Sequence, residues 1–245
     1  MIPELRILDW AALMWFAVCW IGYTYFSRYR SRRTHRLQNA LHDYVKDWVQ
    51  VLHKRDLRIV DTSLASNIMR SATFLASSSL LIIAALLTAA GSTDGVITFM
   101  AELPFVAEVT RQTWEIKILL MVLIYVYAFF TFTWCMRQWG FISIIVGSAP
   151  LAEDKSASDE LRSAHRQTLA EVVWLAIYSF NLGLRAYYFS MALLSWFVHP
   201  IALMLATSWV VAVLYRREFR SKTLKSLIAG RKLIASATGN AGVGG

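Results

Sequence analysis

The sequence predicts an all-α fold: a polytopic transmembrane helix bundle of about five spans, with one amphipathic helix outside the membrane. Of its 245 residues, 57% are hydrophobic and only 17% are charged, whereas an average soluble domain is about a quarter charged. The apolar residues also fall in runs near the ~20 residues that a helix needs to cross a bilayer. We therefore expect residues 1–232 to form a single membrane domain, followed by a disordered tail at 233–245.

The positions of the basic residues predict how the spans are oriented. All but four of the 25 Lys and Arg lie in residues 28–70, 137–166 and 216–232, and basic residues concentrate in the cytoplasmic loops of membrane proteins. This pattern places the N-terminus outside and the C-terminus in the cytoplasm, in a bacterial inner (plasma) membrane. The net charge of +9 is then explained by topology and by attraction to anionic lipid, which argues against nucleic acid as a partner.

The five apolar runs begin and end at characteristic residues. A cleavable signal peptide would have its basic residues before the apolar core, whereas the first run has them after it. Small residues dominate the second run, which predicts a helix in the bundle interior or at a subunit interface. Lys117 and Arg137 bracket the third crossing, so neither needs a buried partner. The predicted spans are 5–27, 71–90, 116–138, 171–190 and 194–215, with an outside turn at 191–196.

Two further segments are expected to lie beside the bilayer. Residues 34–61 form an amphipathic cytoplasmic helix that either lies on the membrane surface or, as we favour, packs against another helix. Its predicted apolar face consists of Leu37, Leu41, Tyr44, Trp48 and Val51. The apolar segment 95–107 is too short to cross, and we favour an interfacial helix over a re-entrant one. Asp61 and the two residues after it are good N-cap candidates for the next helix, and another helix is expected to begin near Ser158.

One face of the fourth span is polar and aromatic. Its residues recur at intervals of three and four and are Glu171, Trp174, Tyr178, Asn181 and Arg185. Ionisable residues in a span are costly and usually face the bundle interior. The face therefore predicts a polar path or ligand pocket in which Arg185 attracts an anion. In the structural alternative, Arg185 extends to the outer surface or pairs with a carboxylate predicted to lie outside: Asp9, Glu102, Glu108 or Glu115.

The sequence contains no recognisable catalytic or metal-binding motif. Its five histidines form neither HxxxH nor HExxH, and GxxxxGK[ST], GxGxxG and GxSxG do not occur. Its two cysteines lie in apolar runs, as small buried hydrophobes do. We accordingly expect no metal and no cofactor, and nothing in the sequence points to an enzyme.

Three segments resemble a bacterial and plant membrane protein family catalogued as domain of unknown function 599. They are NIMRSATFLASSS at 67–79, the segment 137–146, and LGLRAYYF at 182–189 followed by LSWF at 194–197 and Pro200. The likeness covers roughly residues 8–230. It implies a multi-spanning membrane protein and no particular activity. It places the following candidate residues in the family's motifs: Asn67, Arg70, Arg137, Gly183, Arg185, Tyr187 and Tyr188.

The physical roles of these residues are not decided by the sequence. Asn67, Arg70 and Arg137 either form a polar cluster at the cytoplasmic mouth of the bundle or, as we favour, anchor helix ends at the interface. Gly183 is expected to let another backbone approach beside Arg185. Two functions compete: a homo-oligomeric channel or transporter for an ion or small solute, and a membrane assembly or anionic-lipid-binding protein without transport.

Overall fold

The computed structural model describes residues 7–30, 37–55, 59–91, 110–151, 153–154 and 156–241, and this part of the chain is entirely helical apart from short connections. The prediction of an all-α fold is confirmed. A short 3-10 turn, Ser195–Phe197, joins the fifth and sixth helices. The helices are α1 Ile7–Arg30, α2 Leu37–Leu52, α3 Ile59–Gly91, α4 Arg111–Gly147, α5 Asp159–Leu194, α6 Pro200–Phe219 and α7 Lys222–Ala241.

The five long helices α1, α3, α4, α5 and α6 alternate in direction. At one end, which we call the Trp196 end, Trp196 contacts Asp9 near the start of α1 and Lys117 near the start of α4. At the other end, Ser27 near the end of α1 contacts Glu218 near the end of α6. We call this the basic end, because Arg216 and Arg217 close α6 there. The amphipathic α2 and the C-terminal α7 both lie at the basic end, where they contact each other.

Three described helices are long and apolar enough to cross a membrane. They are Ile7–Ser27, Ile59–Gly91 and Arg111–Gly147, with mean hydropathies of 1.4, 2.0 and 2.1. The helices α5 and α6 are more polar, because α5 carries Asn181 and Arg185 within its apolar half and α6 ends in two arginines. The protein is therefore membrane-compatible, while the count of five spans and their orientation stay predictions.

Two apolar cores lie along the bundle. The first joins α1, α3, α4, α5 and α6 around the fully buried Phe132, Phe189 and Trp196. The second joins α2, α3, α4 and α5 around Val49 and Ile142. The helix α4 has 37 residues, which corresponds to about 55 Å at the helical rise, well beyond a bilayer core of about 30 Å. The excess length of the long helices carries the second core at the basic end.

The small-residue helix α3 is not in the bundle interior, so that alternative is wrong. Its buried residues Ala65, Ala72, Ala76 and Ser79 share the face that packs against α4, while residues such as Phe74 are exposed. The small side chains let α3 lie close to one neighbour, which a small-residue surface permits without requiring burial on all sides. A role at a subunit interface stays a prediction.

The amphipathic helix α2 packs against α5 and α7, as the favoured alternative expects. Its buried face differs from the predicted one, however. Val45, Val49 and Leu52 are buried, whereas Leu41 and Val51 of the predicted face are exposed. Spacings of three and four fit neighbouring faces of a short helix almost equally well, so the periodicity alone could not select between them.

Helix ends agree only in part with the sequence predictions. Ser158 caps α5 by accepting a hydrogen bond from the backbone N–H of Leu161, as expected. The helix α3, in contrast, begins at Ile59, so Asp61 lies in its first turn rather than at its N-cap. The helix α7 continues to Ala241, into the predicted disordered tail. Residues 95–107 and 242–245 lie outside the described residues.

Candidate functional site

Arg185 lies within a buried polar cluster between three helices, which we call the Arg185 cluster (Ser27, Arg185 and Glu218). Arg185 Nη2 on α5 donates to Glu218 Oε1 on α6 at 2.6 Å and to Ser27 Oγ on α1 at 2.9 Å. The Ser27 hydroxyl in turn donates to Glu218 Oε2 at 3.1 Å. The three side chains thus close a ring of hydrogen bonds across the bundle.

The Arg185 cluster is almost sealed from solvent. The exposed fractions of the Arg185 and Glu218 side chains are 5% and 14%, and the guanidinium lies over the Tyr23 ring at 5.4 Å from its centroid. Arg185 Nε is buried with no hydrogen-bond acceptor among the described residues. A buried donor without an acceptor is costly. The hydrogen bonds of the Arg185 cluster therefore leave one N–H of the guanidinium unsatisfied.

The partner of Arg185 differs from the predicted ones. Asp9 accepts from Trp196 at the other end of the bundle, and Glu115 accepts from Arg111, while Glu102 and Glu108 lie outside the described residues. Arg185 instead extends toward the basic end. Glu218 was overlooked because it stands in the basic run that closes α6, where a carboxylate looks like an ordinary surface charge.

The other residues of the polar face do not join Arg185. Glu171 is exposed and accepts from Gln167, and Trp174 contacts the His42 ring on α2 at 4.8 Å between centroids. Tyr178 is half-buried, and the Asn181 amide donates to the backbone carbonyl of Ile177 in its own helix. Regular spacing placed all five on one side of α5, but the neighbouring helices cover that side differently at each level.

The family-motif residues on α3 and α4 do not form a polar cluster within the described part of the chain. Asn67 and Arg70 are exposed on α3. Arg137 is also exposed, and its guanidinium lies 5.7 Å from the centroid of the Phe141 ring. The buried polar contact in this region is instead between Gln138 and the Ser179 hydroxyl, at 2.8 Å.

The remaining motif residues hold helices together. A Cβ at Gly183 would lie 2.6 Å from Phe132 on α4, so Gly183 admits an aromatic side chain rather than the predicted backbone. The Tyr187 hydroxyl donates to the Leu75 carbonyl on α3 at 2.7 Å. The Tyr188 hydroxyl accepts from Arg217 on α6 at 2.5 Å. Each of these positions therefore links α5 to a different neighbour.

A second buried charged cluster lies at the Trp196 end. Trp196 Nε1 donates to Asp9 Oδ1 at 2.7 Å, and Lys117 Nζ donates to the Trp196 carbonyl at 2.8 Å. Lys117 is 3% exposed and Asp9 is 6% exposed, so the expectation that Lys117 needs no buried partner is wrong. Little in the sequence indicates that Asp9 and Lys117 are buried, because each of them stands near the end of an apolar run.

Aromatic side chains fill the space between the two charged clusters. The Trp20 and Phe189 rings stack at 5.4 Å with an interplanar angle of 5°. The Phe16 ring meets both of them edge-on. The charged groups of α1 and α5 therefore lie at two levels, Asp9 at one and Arg185 at the other. A packed apolar layer separates the two levels.

Comparison with known proteins assigns the chain to a family without adding a function. No group of three or more His, Cys, Asp or Glu that could hold a metal ion is found among the described residues. No curated protein and no solved structure matches the chain. A family model described as "Protein of unknown function, DUF599" matches residues 11–223, most of the 245-residue chain. The chain therefore belongs to the DUF599 family of proteins of unknown function.

Proposed function

We propose that this protein crosses the inner membrane five times and passes an ion or small solute, with the contact between Arg185 and Glu218 closing the pathway. The observation that carries the proposal is this buried ion pair at 2.6 Å. Charged groups inside a membrane bundle are expensive and typically mark ion or substrate pathways. The Arg185 cluster is also supplied by three different helices, so movement of any one of them alters it.

The alternating directions of the five long helices support five crossings. The turn Ser195–Phe197 returns the chain from the end of α5 to the start of α6, while α2 and α7 stay at the basic end. With that end in the cytoplasm, every basic stretch of the sequence lies on the cytoplasmic side. Large exposed apolar residues along the long helices, including Phe74, Leu81 and Leu123, then face lipid.

The proposed mechanism uses the groups of the Arg185 cluster in order. In the closed state, Glu218 and Ser27 occupy Arg185 Nη2, and the Phe16, Trp20 and Phe189 rings block the level above. An arriving anion competes with Glu218 for the guanidinium. This competition frees α6 to move away from α5 and α1.

A homo-oligomer fits the same proposal, because five helices make a thin bundle. The exposed face of α3 carries the hydroxyls of Ser71 and Thr73, and hydroxyls and small residues favour close helix contacts in lipid. We propose that α3 of one copy lies against another copy.

Crosslinking of the exposed Ser71→Cys variant in native membranes should give a dimer. A band that remains monomeric would contradict this part of the proposal.

Flux through liposomes tests the proposed pathway. Liposomes containing the purified protein would be assayed for H⁺, Na⁺, K⁺, chloride and phosphate flux. Glu218→Gln weakens the contact that closes the pathway, so we expect at least one flux to rise about tenfold, which corresponds to ~1.4 kcal/mol. Glu115→Gln removes a carboxylate from an exposed ion pair and should leave flux unchanged.

Two outcomes would contradict transport. One is flux equal to that of empty liposomes for the wild-type protein and for Glu218→Gln across all five ions. The other is an equal effect of Glu218→Gln and Glu115→Gln, because the buried pair would then have no special role.

Lipid binding without transport is the second candidate function. Exposed basic residues crowd the junction of α6 and α7, where anionic headgroups would gather; they are Arg216, Arg217, Arg220, Lys222 and Lys225. Mass spectrometry of protein extracted gently from native membranes should then show a retained anionic lipid. Recovery of lipid-free protein would exclude this candidate.

A further inference from the structure

We infer that a cavity at the basic end binds a phosphate group, on a soluble phosphorylated compound or a lipid phosphomonoester. The cavity lies between α2, the start of α5 and the connection before it, and its volume is about 620 Å³. Ligand pockets typically measure about 300–1,000 Å³, so it accommodates a small organic phosphate. The cavity shares no residue with the Arg185 cluster. The inference therefore goes beyond the proposed transport function.

Three permanent cations line this cavity: Lys54, Arg162 and Arg166. Neither Lys54 nor Arg166 has a carboxylate within ion-pair distance in the described part of the chain. The Arg162 guanidinium donates to the backbone carbonyl of Asp154 at 2.5 Å, which leaves most of its donors available. Arginine forks match phosphate oxygens in a bidentate geometry, so the cations favour this anion over a single carboxylate.

Among the described residues, neither acidic residue of the cavity forms an ion pair with these cations. Asp154 Oδ1 accepts from the Ser156 backbone N–H at 2.9 Å and from the Ser156 hydroxyl at 2.6 Å. These hydrogen bonds lower the pKa of Asp154, and the nearby charge of Arg162 contributes to lowering it. The hydrogen bonds also hold the carboxylate within its own loop. Glu153 is exposed, where solvent screens its charge.

A buried histidine makes one wall of the cavity rigid. His53 is 5% exposed; its Nδ1 lies 2.8 Å from the Val49 carbonyl, and its Nε2 lies 3.0 Å from His165 Nδ1. With the Nδ1–H of a neutral His53 donated to the Val49 carbonyl, its Nε2 accepts a hydrogen bond from the Nδ1–H of His165. Both ring nitrogens of His53 are thus held by contacts on this wall of the cavity.

The cationic lining continues beyond this cavity. A second cavity of about 380 Å³ lies further along α2 and α5 and shares Gln50 and Arg166 with the first. It adds Lys46 and, on its far side, Glu171. Arg166 therefore stands where the two cavities join, and its substitution should have the largest effect on binding.

Calorimetric titration of the full chain tests this inference with two probes. The soluble probe is pyrophosphate, added to protein in uncharged detergent. The lipid probe is phosphatidic acid, compared with phosphatidylcholine alone in nanodiscs. We expect Arg166→Gln to weaken binding of the effective probe about tenfold, which is ~1.4 kcal/mol. Lys54→Gln, at an exposed position, gives a second reading if Arg166→Gln lowers the yield of folded protein.

Arg70→Gln is the matched control, because Arg70 is an exposed arginine on α3 and does not line either cavity. Binding of pyrophosphate alone would identify a soluble ligand, and binding of phosphatidic acid alone a lipid; both support the site. Absence of binding by either probe would overturn the inference. So would equal weakening by Arg166→Gln and Arg70→Gln, since that result describes general surface attraction.

Discussion

Gly183 shows how tightly single residues are constrained where α4 meets α5. The Phe132 side chain opposite it is fully buried and is flanked by the rings of Phe180 and Tyr187. Phe132 consequently has little room to move away from a new methyl group. The absence of a side chain at Gly183 is therefore a packing requirement.

Gly183→Ala should destabilise the protein. The new Cβ would lie 2.6 Å from Phe132 carbons, and overpacking of this kind costs about 1–3 kcal/mol. Thermal unfolding in detergent should show a lower Tm. Gly140→Ala on α4 is the control, because no atom lies within 4 Å of its Cβ position. Equal Tm values for the two variants would contradict the packing account.

The pKa of His42 on α2 depends on both its burial and the charges around it. Burial lowers its pKa, Lys46 lowers it further, and Asp43 and Glu171 raise it. Because the lowered pKa favours the neutral ring in the folded protein, the resulting stability is present above the ordinary histidine value near 6.5. It is lost as pH falls through the lowered pKa.

Lys46→Gln should raise the pKa of His42, and Glu171→Gln should lower it further. The first substitution removes a nearby positive charge, and the second removes a negative one. Titration of the His42 ring resonances by NMR measures both shifts. An unchanged pKa of His42 in both variants would show that burial alone controls this histidine.

At the scale of helices, a buried carboxylate fixes α2 to the start of α3. Asp61 Oδ1 accepts from Trp48 Nε1 at 2.7 Å and from Arg55 at 3.3 Å, and the Asp61 side chain is fully buried. The contact therefore ties α2 to the first turn of α3.

Asp61→Ala should loosen α2. The Trp48 indole N–H would lose its acceptor, and an unsatisfied buried donor costs about 1–3 kcal/mol. Hydrogen exchange of the α2 amides should be faster in this variant. Asp61→Asn keeps an oxygen acceptor and should change exchange less. Unchanged protection of α2 in Asp61→Ala would mean that the apolar contacts of Val45, Val49 and Leu52 hold α2 without it.

The whole molecule is a bundle whose alternating helices separate a Trp196 end from a basic end. Two apolar cores follow its length, the second of them toward the basic end. A count of three crossings and a count of five differ chiefly at the connection between α5 and α6. In a three-span protein, that connection would stay on the same side as α7.

Labelling of single introduced cysteines should distinguish five crossings from three. An impermeant maleimide added to intact spheroplasts should label Arg111→Cys and Val198→Cys, and should label Lys222→Cys only after permeabilisation. All three positions are exposed. Wild-type protein treated with the same maleimide corrects for any labelling of Cys19 and Cys135. Protection of Val198→Cys alongside Lys222→Cys would contradict the five-span topology.

The sequence by itself determined the helical fold, the membrane-compatible runs and several helix ends. These features are local, because a run of apolar side chains, a capping serine such as Ser158, or a proline such as Pro200 at the start of a helix acts within a few residues. The resemblance that carries the family assignment is likewise a property of the chain alone. The burial of Arg185 also followed from its position in an apolar run, because ionisable residues in a span usually face the bundle interior.

Only the tertiary structure decided which groups meet. Glu218 lies 33 residues from Arg185 and Ser27 lies 158 residues from it, and helical periodicity says nothing about such distant pairs. The buried face of α2, the peripheral position of α3 and the contact of Asp9 with Trp196 have the same origin. A helix shows several faces that differ little in apolar content, and the packing of neighbouring helices selects among them.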